Sequence, residues 1–402
     1  MSSITRHFFI YVFDRPDDPF AGLKYLLRQS SGATHEIHDI RLSRENYKLI
    51  NKVDYSYLRK RLRFLYYRRV FQELTQLITK ALDSCCKDDL AVVYFADDGV
   101  WAEFWSQLRR SHRCGATLIA VNVQHGWLKL EAASGVPVRK LLNRLTKTLF
   151  GSLAFGLGSL GGSGGGVFDI HLVYSPEAAE FVRNRTGDRA ISCPGIIKHN
   201  VTQRFTQSRK EALATGNPCN NVLMALQPPP FVGLRPGTTL LDMMREWLPI
   251  ARIISEEHHR SVVIRRHPGT TAQEFEAAYR ESGISDYAQP DSHVAVYDAL
   301  AHSAVVFSYM STVLFEAYLL GLTPVSVCGG LYDDNLETLP HVRFDMRLDL
   351  REQVRRIIDS AAGTHLNQSD SGSDFDWENI LLEQVRSGVS PHGANRLTGA
   401  RI

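Results

Sequence analysis

No run of about 20 apolar residues occurs in this 402-residue chain, so the sequence offers no ordinary membrane-spanning helix. Cysteine is scarce. The six present, Cys85, Cys86, Cys114, Cys193, Cys219 and Cys328, include no Cys-x-x-Cys spacing and lie among mostly apolar neighbours. That pattern speaks against a disulfide framework and a zinc site, and for buried thiols in a reducing compartment. An excess of either charge is missing too. Lys and Arg number 46 against 43 Asp and Glu, and a balance of +3 suggests no nucleic-acid partner. The segment MSSITRHFFIYVF has a short apolar run without a cleavage-like site, so no signal peptide is expected from it. The expected localisation is cytoplasmic.

What is present is the composition of a folded protein, 44% hydrophobic and 22% charged, with length enough for two cores. Apolar runs rich in aromatic and β-branched residues predict strands at 7–13, 35–40, 90–96, 117–123 and 169–174, and again at 221–226, 261–264 and 304–307. Helical patterns fall between them, at 20–28, 55–82, 101–111, 240–256, 313–320 and 348–362. Ser175-Pro176-Glu177 reads as an N-cap followed by proline at the first helical position. The polar stretch 201–220 reads as a linker. This alternation predicts an α/β chain of two Rossmann-like domains facing a central cleft. Residues 1–205 form the first domain and 206–362 the second, with 363–402 a short helix and flexible tail.

Two basic amphipathic segments, 55–82 and 137–155, have two readings. They are solvated faces, or they touch an anionic membrane surface or an acidic acceptor. The glycine-rich stretch through 158–166 is a surface loop, or a mobile lid or membrane-touching segment. It is no dinucleotide fingerprint, because no strand immediately precedes it.

Three short elements carry chemistry. Ser311 and Thr312 stand between a predicted strand and helix, where hydroxyls and a helix N-terminus meet phosphate oxygens; plain N-capping is the competing account. Glu316, one turn further on, is placed to accept from ribose hydroxyls or to cap the helix. His267-Pro268 ends a strand, flanked by Arg265 and Arg266, in positive surroundings suited to a departing phosphate; a surface histidine before a turn is the plainer reading. Asp97-Asp98-Gly99 ends another strand, where adjacent carboxylates raise one another's pKa toward that of a base, or simply shape a turn.

In this order the three resemble the motifs of bacterial sialyltransferases of GT-B fold, and of the capsule and lipopolysaccharide transferases that use CMP-activated sugars, the Kdo transferases included. The resemblance spans residues 97–324 as scattered motifs. It implies that a CMP-linked sialic-acid-like or Kdo-like sugar passes to a surface glycan or glycolipid, with Asp98 as base and Asp97 behind it. Arg266, His267, Pro268, Ser311, Thr312 and Glu316 then hold the nucleotide. One feature departs from the pattern. Gln124-His125-Gly126, followed by Trp127, is similar to the strand-end motif of capsule-polysaccharide and CDP-glycerol-type transferases. It makes His125 a rival base or, with Gln124 and Gly126, an acceptor contact. The alternatives are therefore a CDP-glycerol or UDP-sugar transferase, or a nucleotide-sugar 2-epimerase-like isomerase, whose Glu-Ala-x-x-x-Gly helix resembles Glu316 to Gly321. No metal or cofactor is expected beyond the donor, and association with the inner membrane face follows only from the basic segments.

Overall fold

The computed structural model describes residues 4–11, 18–30, 35–42, 63–85, 89–96, 116–124, 168–186, 189–217, 219–227, 237–309, 311–328, 341–363 and 376–386. Two compact units emerge, one of residues 1–197 and 374–402, the other of residues 198–373.

In the first unit six parallel strands form one sheet: β1 (Thr5–Tyr11), β2 (His35–Arg41), β3 (Leu90–Ala96), β4 (Thr117–Val123), β5 (Ile170–Val173) and β6 (Arg189–Ser192), ordered β2-β1-β3-β4-β5-β6. Parallel strands are covered on both faces, so their sequences run apolar without alternation. Phe8, Phe9 and Ile10 of β1 and residues 91–95 of β3 are accordingly all buried. The described helices are α1 (Ala21–Gln29), α2 (Arg63–Leu82), α3 (Pro176–Thr186) and α4 (Pro194–Ile197), together with the C-terminal helix Trp377–Arg386. Leu74, Ile78 and Leu82 of α2, at helical spacing, pack on Phe8, Val93 and Phe95. At the start of α3 the Ser175 hydroxyl accepts from the Ala178 N–H at 3.0 Å, and Pro176 opens the helix as its sequence predicts.

One polar chain crosses this core. The Trp377 indole N–H donates to the Tyr94 hydroxyl (2.8 Å), which lies 2.8 Å from His7 Nδ1. His7 Nε2 lies 3.0 Å from His35 Nδ1. Because Trp377 only donates, the Tyr94 proton goes to His7 Nδ1 and the neutral His7 ring donates from Nε2.

The second unit repeats the scheme with β7 (Asn221–Ala225), β8 (Val262–Arg265), β9 (Ala288–Pro290), β10 (Ser303–Ser308), β11 (Thr323–Cys328) and β12 (Val342–Asp345), all parallel and ordered β12-β11-β10-β7-β8-β9. Its helices are α5 (His199–Ala214), α6 (Leu240–His258), α7 (Ala272–Glu281), α8 (Val296–Ala301), α9 (Thr312–Leu319) and α10 (Leu350–Gly363). Trp247 of α6 is fully buried among Met224, Ile264, Phe307 and Ile358.

The polar stretch expected as a linker, 201–220, is largely α5. Three apolar side chains, Val201, Phe205 and Ala212, are enough of a stripe to seat it. Polar contacts do the rest. Ser208 donates to Asp298 at 2.6 Å, and Arg209 Nη1 donates to the carbonyls of Ala301 (2.8 Å) and Ser303 (2.9 Å).

Helix α6 opens on a capping box, the Thr239 hydroxyl accepting from the Asp242 N–H and the Asp242 carboxylate from the Thr239 N–H at 2.8 Å. Thr239→Ala is expected to cost about 1 kcal/mol of stability in urea unfolding, with an unchanged slope. A loss below about 0.3 kcal/mol would show the box to be idle. Among the described residues no helix is long and apolar enough to cross a membrane.

Candidate functional site

From β7 the chain moves outward through β8 to β9, then returns beside β7 as β10 and moves the other way through β11 to β12. The connections after β7 and β10 therefore leave in opposite directions. At such a switch point the carboxyl ends of the strands open a crevice, the usual ligand site of open parallel sheets. Four segments reach this end: the exits of β7, β8 and β10, and the N-terminus of α5, which runs back antiparallel to the strands before β7 begins.

At the exit of β10 the backbone is held in three places. The Ser308 hydroxyl donates to the Ala225 carbonyl of β7 at 2.8 Å, and the Ser326 hydroxyl of β11 donates to the Tyr309 carbonyl at 2.8 Å. The buried Tyr309 phenol donates to Glu246 of α6 at 2.9 Å, and burial pushes its pKa well above the ordinary tyrosine value. Ser311 follows as the N-cap of α9, its hydroxyl oxygen accepting from the Val313 N–H at 3.3 Å, and Thr312 is the first helical residue. The capping predicted for Ser311 is thus present. It engages the oxygen as acceptor and leaves the hydroxyl proton to donate toward a ligand at the helix N-terminus.

Helix α9 is apolar on nearly every side, with Val313, Leu314, Phe315, Ala317 and Leu319 buried. Glu316 lies among them and is buried too. A carboxylate in such surroundings needs a cation. Lys198 supplies it, with Nζ 2.8 Å from Glu316 Oε1. Sequence reading missed Lys198. The only signal was the lone acid in an apolar helix, which calls for a partner without naming it.

At the exit of β8 the two arginines do different things. Arg265 is a strut: it pairs with Asp291, whose side chain is 1% exposed, and donates to the carbonyls of His293 and Val294 at 3.0 Å each. It therefore fixes the loop after β9, and the positive surroundings expected of it at His267 are spent on Asp291. Arg266 is exposed, and its guanidinium donates to the Thr270 carbonyl. His267 is half-buried, Pro268 exposed, and the turn closes with the Thr270 N–H donating to the His267 carbonyl at 3.0 Å. His267 Nδ1 accepts from the Gly269 N–H at 2.9 Å, so the neutral ring carries its proton on Nε2. Burial holds the His267 pKa below the ordinary histidine value, which favours that neutral form.

The sheet order places His267 and Ser311 just beyond the two strands that flank β7, which are themselves about 10 Å apart across two strand spacings. The structure thus gathers Arg266, His267, Pro268, Ser311, Thr312 and Glu316 on the carboxyl edge of one sheet, and adds Lys198. Asp97, Asp98, His125 and Gly126 lie outside the described residues. Gln124 is described and buried at the exit of β4. Its Oε1 accepts from the Tyr174 N–H at 2.9 Å and its own N–H donates to the Leu172 carbonyl at 2.8 Å, so it ties β4 to β5. Among the described residues no three His, Cys, Asp or Glu side chains converge as a metal site.

No protein-family model matches the sequence, and no curated protein sequence matches it. Solved structures do match. A UDP-GlcNAc 2-epimerase from Neisseria meningitidis bound to UDP-GlcNAc is similar over 96% of this chain and 100% of its own, with a TM-score of 0.55 at 11% identity. A putative UDP-N-acetylglucosamine 2-epimerase from Listeria monocytogenes matches over 96% of both chains, with a TM-score of 0.55 at 13% identity. A UDP-forming trehalose-phosphate synthase from Burkholderia xenovorans covers 96% of this chain and 100% of its own, with a TM-score of 0.53 at 11% identity. Such identities speak to fold alone, and the fold is α/β of the GT-B class, two parallel six-stranded sheets with their helices.

Proposed function

We propose that the chain is a nucleotide-sugar enzyme that binds a uridine diphosphate sugar at the second sheet and transfers its sugar to a glycan or glycolipid acceptor. The observation that carries this reading is the carboxyl edge itself, where an N-capped helix, a neutral His267 and a buried carboxylate share one switch point. The N-terminus of α9 and the Ser311 hydroxyl attract phosphate oxygens. His267 Nε2–H donates to the phosphate as negative charge grows on it, so the charge is met without a metal. Glu316 accepts from the ribose. Asp98, with Asp97 beside it, or His125 takes the acceptor proton.

The uridine diphosphate donor is preferred over a CMP-linked one because the similar folds include an epimerase bound to UDP-GlcNAc and a UDP-forming synthase. Two epimerases among them support a second reading, isomerisation of the same donor. A thermal-shift panel of UDP, CDP and CMP tests the donor. UDP at 100-fold its Kd is expected to stabilise by about 2.7 kcal/mol. Stabilisation by CMP but not UDP would overturn the donor and restore the CMP-sugar class to which Asp98, His267 and Ser311 point by resemblance. Turnover of UDP-GlcNAc with no acceptor present would favour the isomerase.

A further inference from the structure

We propose that Lys198 is the positioning residue for Glu316, holding its carboxylate in one rotamer for the ribose hydroxyls of a bound nucleotide. The inference rests on the nucleotide site described above and adds to it a residue from a different element. Lys198 caps the start of α5 and is the first residue of the second unit, while Glu316 lies more than one turn inside α9. Their head groups meet at 2.8 Å, with side chains 11% and 9% exposed.

Helix α9 alone gives the carboxylate no polar partner, since its neighbours on the helix are buried apolar groups. The ammonium of Lys198 fixes the carboxylate and occupies a single acceptor direction on Oε1. An ionised carboxylate has about four such directions, so the rest serve the ribose. The pair therefore acts as a reader of the sugar hydroxyls of the nucleotide, distinct from the phosphate contacts at Ser311 and His267.

The test is isothermal titration of UDP and 2′-deoxy-UDP into the full chain and its variants. A buried acceptor aimed at a hydroxyl rejects the analogue lacking it, and the wild type is expected to prefer the ribonucleotide by about tenfold or more. Lys198→Met, Lys198→Gln and Glu316→Gln are each expected to bring the two affinities to within about threefold. Lys198→Arg keeps the charge and is expected to retain most of the preference. The two uncharged replacements of Lys198 serve as alternates should one fail to fold. A purely structural ion pair predicts otherwise: a lowered melting temperature with the ribose preference unchanged, a result that overturns the inference. A wild type that binds UDP without ribose preference overturns it as well. Failure of the wild type to bind any of UDP, CDP or CMP instead refutes the nucleotide site, and this inference goes with it.

Discussion

Replacing His267 with alanine is expected to slow nucleotide-sugar turnover about 10²–10³-fold, with little change in melting temperature. The size follows from where the ring stands. His267 stands two residues beyond β8 on the edge of the crevice, and its Nδ1 accepts from the Gly269 N–H, so the neutral ring carries its donor proton on Nε2. A donor aimed at a departing phosphate gains strength as charge develops there, and its loss falls on kcat more than on KM. The fold should notice little, because the turn is also closed through backbone, the Thr270 N–H to the His267 carbonyl. His267→Gln supplies an amide N–H near the Nε2 position and is expected to recover at least about tenfold of the loss. Equal activity of the alanine variant and the wild type would remove His267 from the site.

Acid should weaken the first unit by an amount on the order of several kcal/mol through one side chain, His7. Burial is the main cause that pushes the His7 pKa down to about 3, with His35 and His38 adding positive charge nearby. The unfolded chain binds the proton near pH 6.5, the ordinary histidine value. Between those values the unfolded state holds more protons than the folded one, so stability falls as pH falls. The contribution is intact above about pH 6.5, shrinks by about 1.4 kcal/mol per unit below it, and is gone near the folded value.

The geometry gives the same sign. Protonating His7 puts a hydrogen on Nδ1, where Tyr94 must donate because Trp377 already donates to its oxygen. Urea unfolding at pH 7, 6, 5 and 4 of the wild type and His7→Asn checks this, the difference between their slopes isolating His7 from the carboxylates. Hydrogen exchange in peptides from β1 and β3 localises it. Identical pH slopes in the two proteins would dismiss the claim.

Much of this was legible from short-range chemistry. The central strands could be placed because parallel strands demand unbroken apolar runs, and residues 90–96 and 117–123 have them, whereas the short edge strands β9 and β12 carry no such run. Ser175-Pro176 and Ser311-Thr312 announced helix starts because an N-cap hydroxyl reaches only two or three residues ahead. His267 could be suspected because an imidazole before a proline marks a strand exit.

Other features depend on which distant segments meet. The polar run 201–220 reads as a linker until α8 lies against it and takes up Ser208 and Arg209. Arg265 and Arg266 look alike in sequence, yet a carboxylate 26 residues on claims the first and a carbonyl four residues on claims the second. Lys198 and Glu316 stand 118 residues apart.

Periodicity and capping are written into a few neighbouring residues, and so most of the elements, their order and the strand-end candidates follow from the chain as read. The partner of a buried charge is chosen by packing. Charges must be compensated wherever the helices come to rest, so the pairing of Glu316 with Lys198, the diversion of Arg265 to Asp291 and the burial of neutral His7 came only with the folded arrangement of α5, α9 and the two sheets.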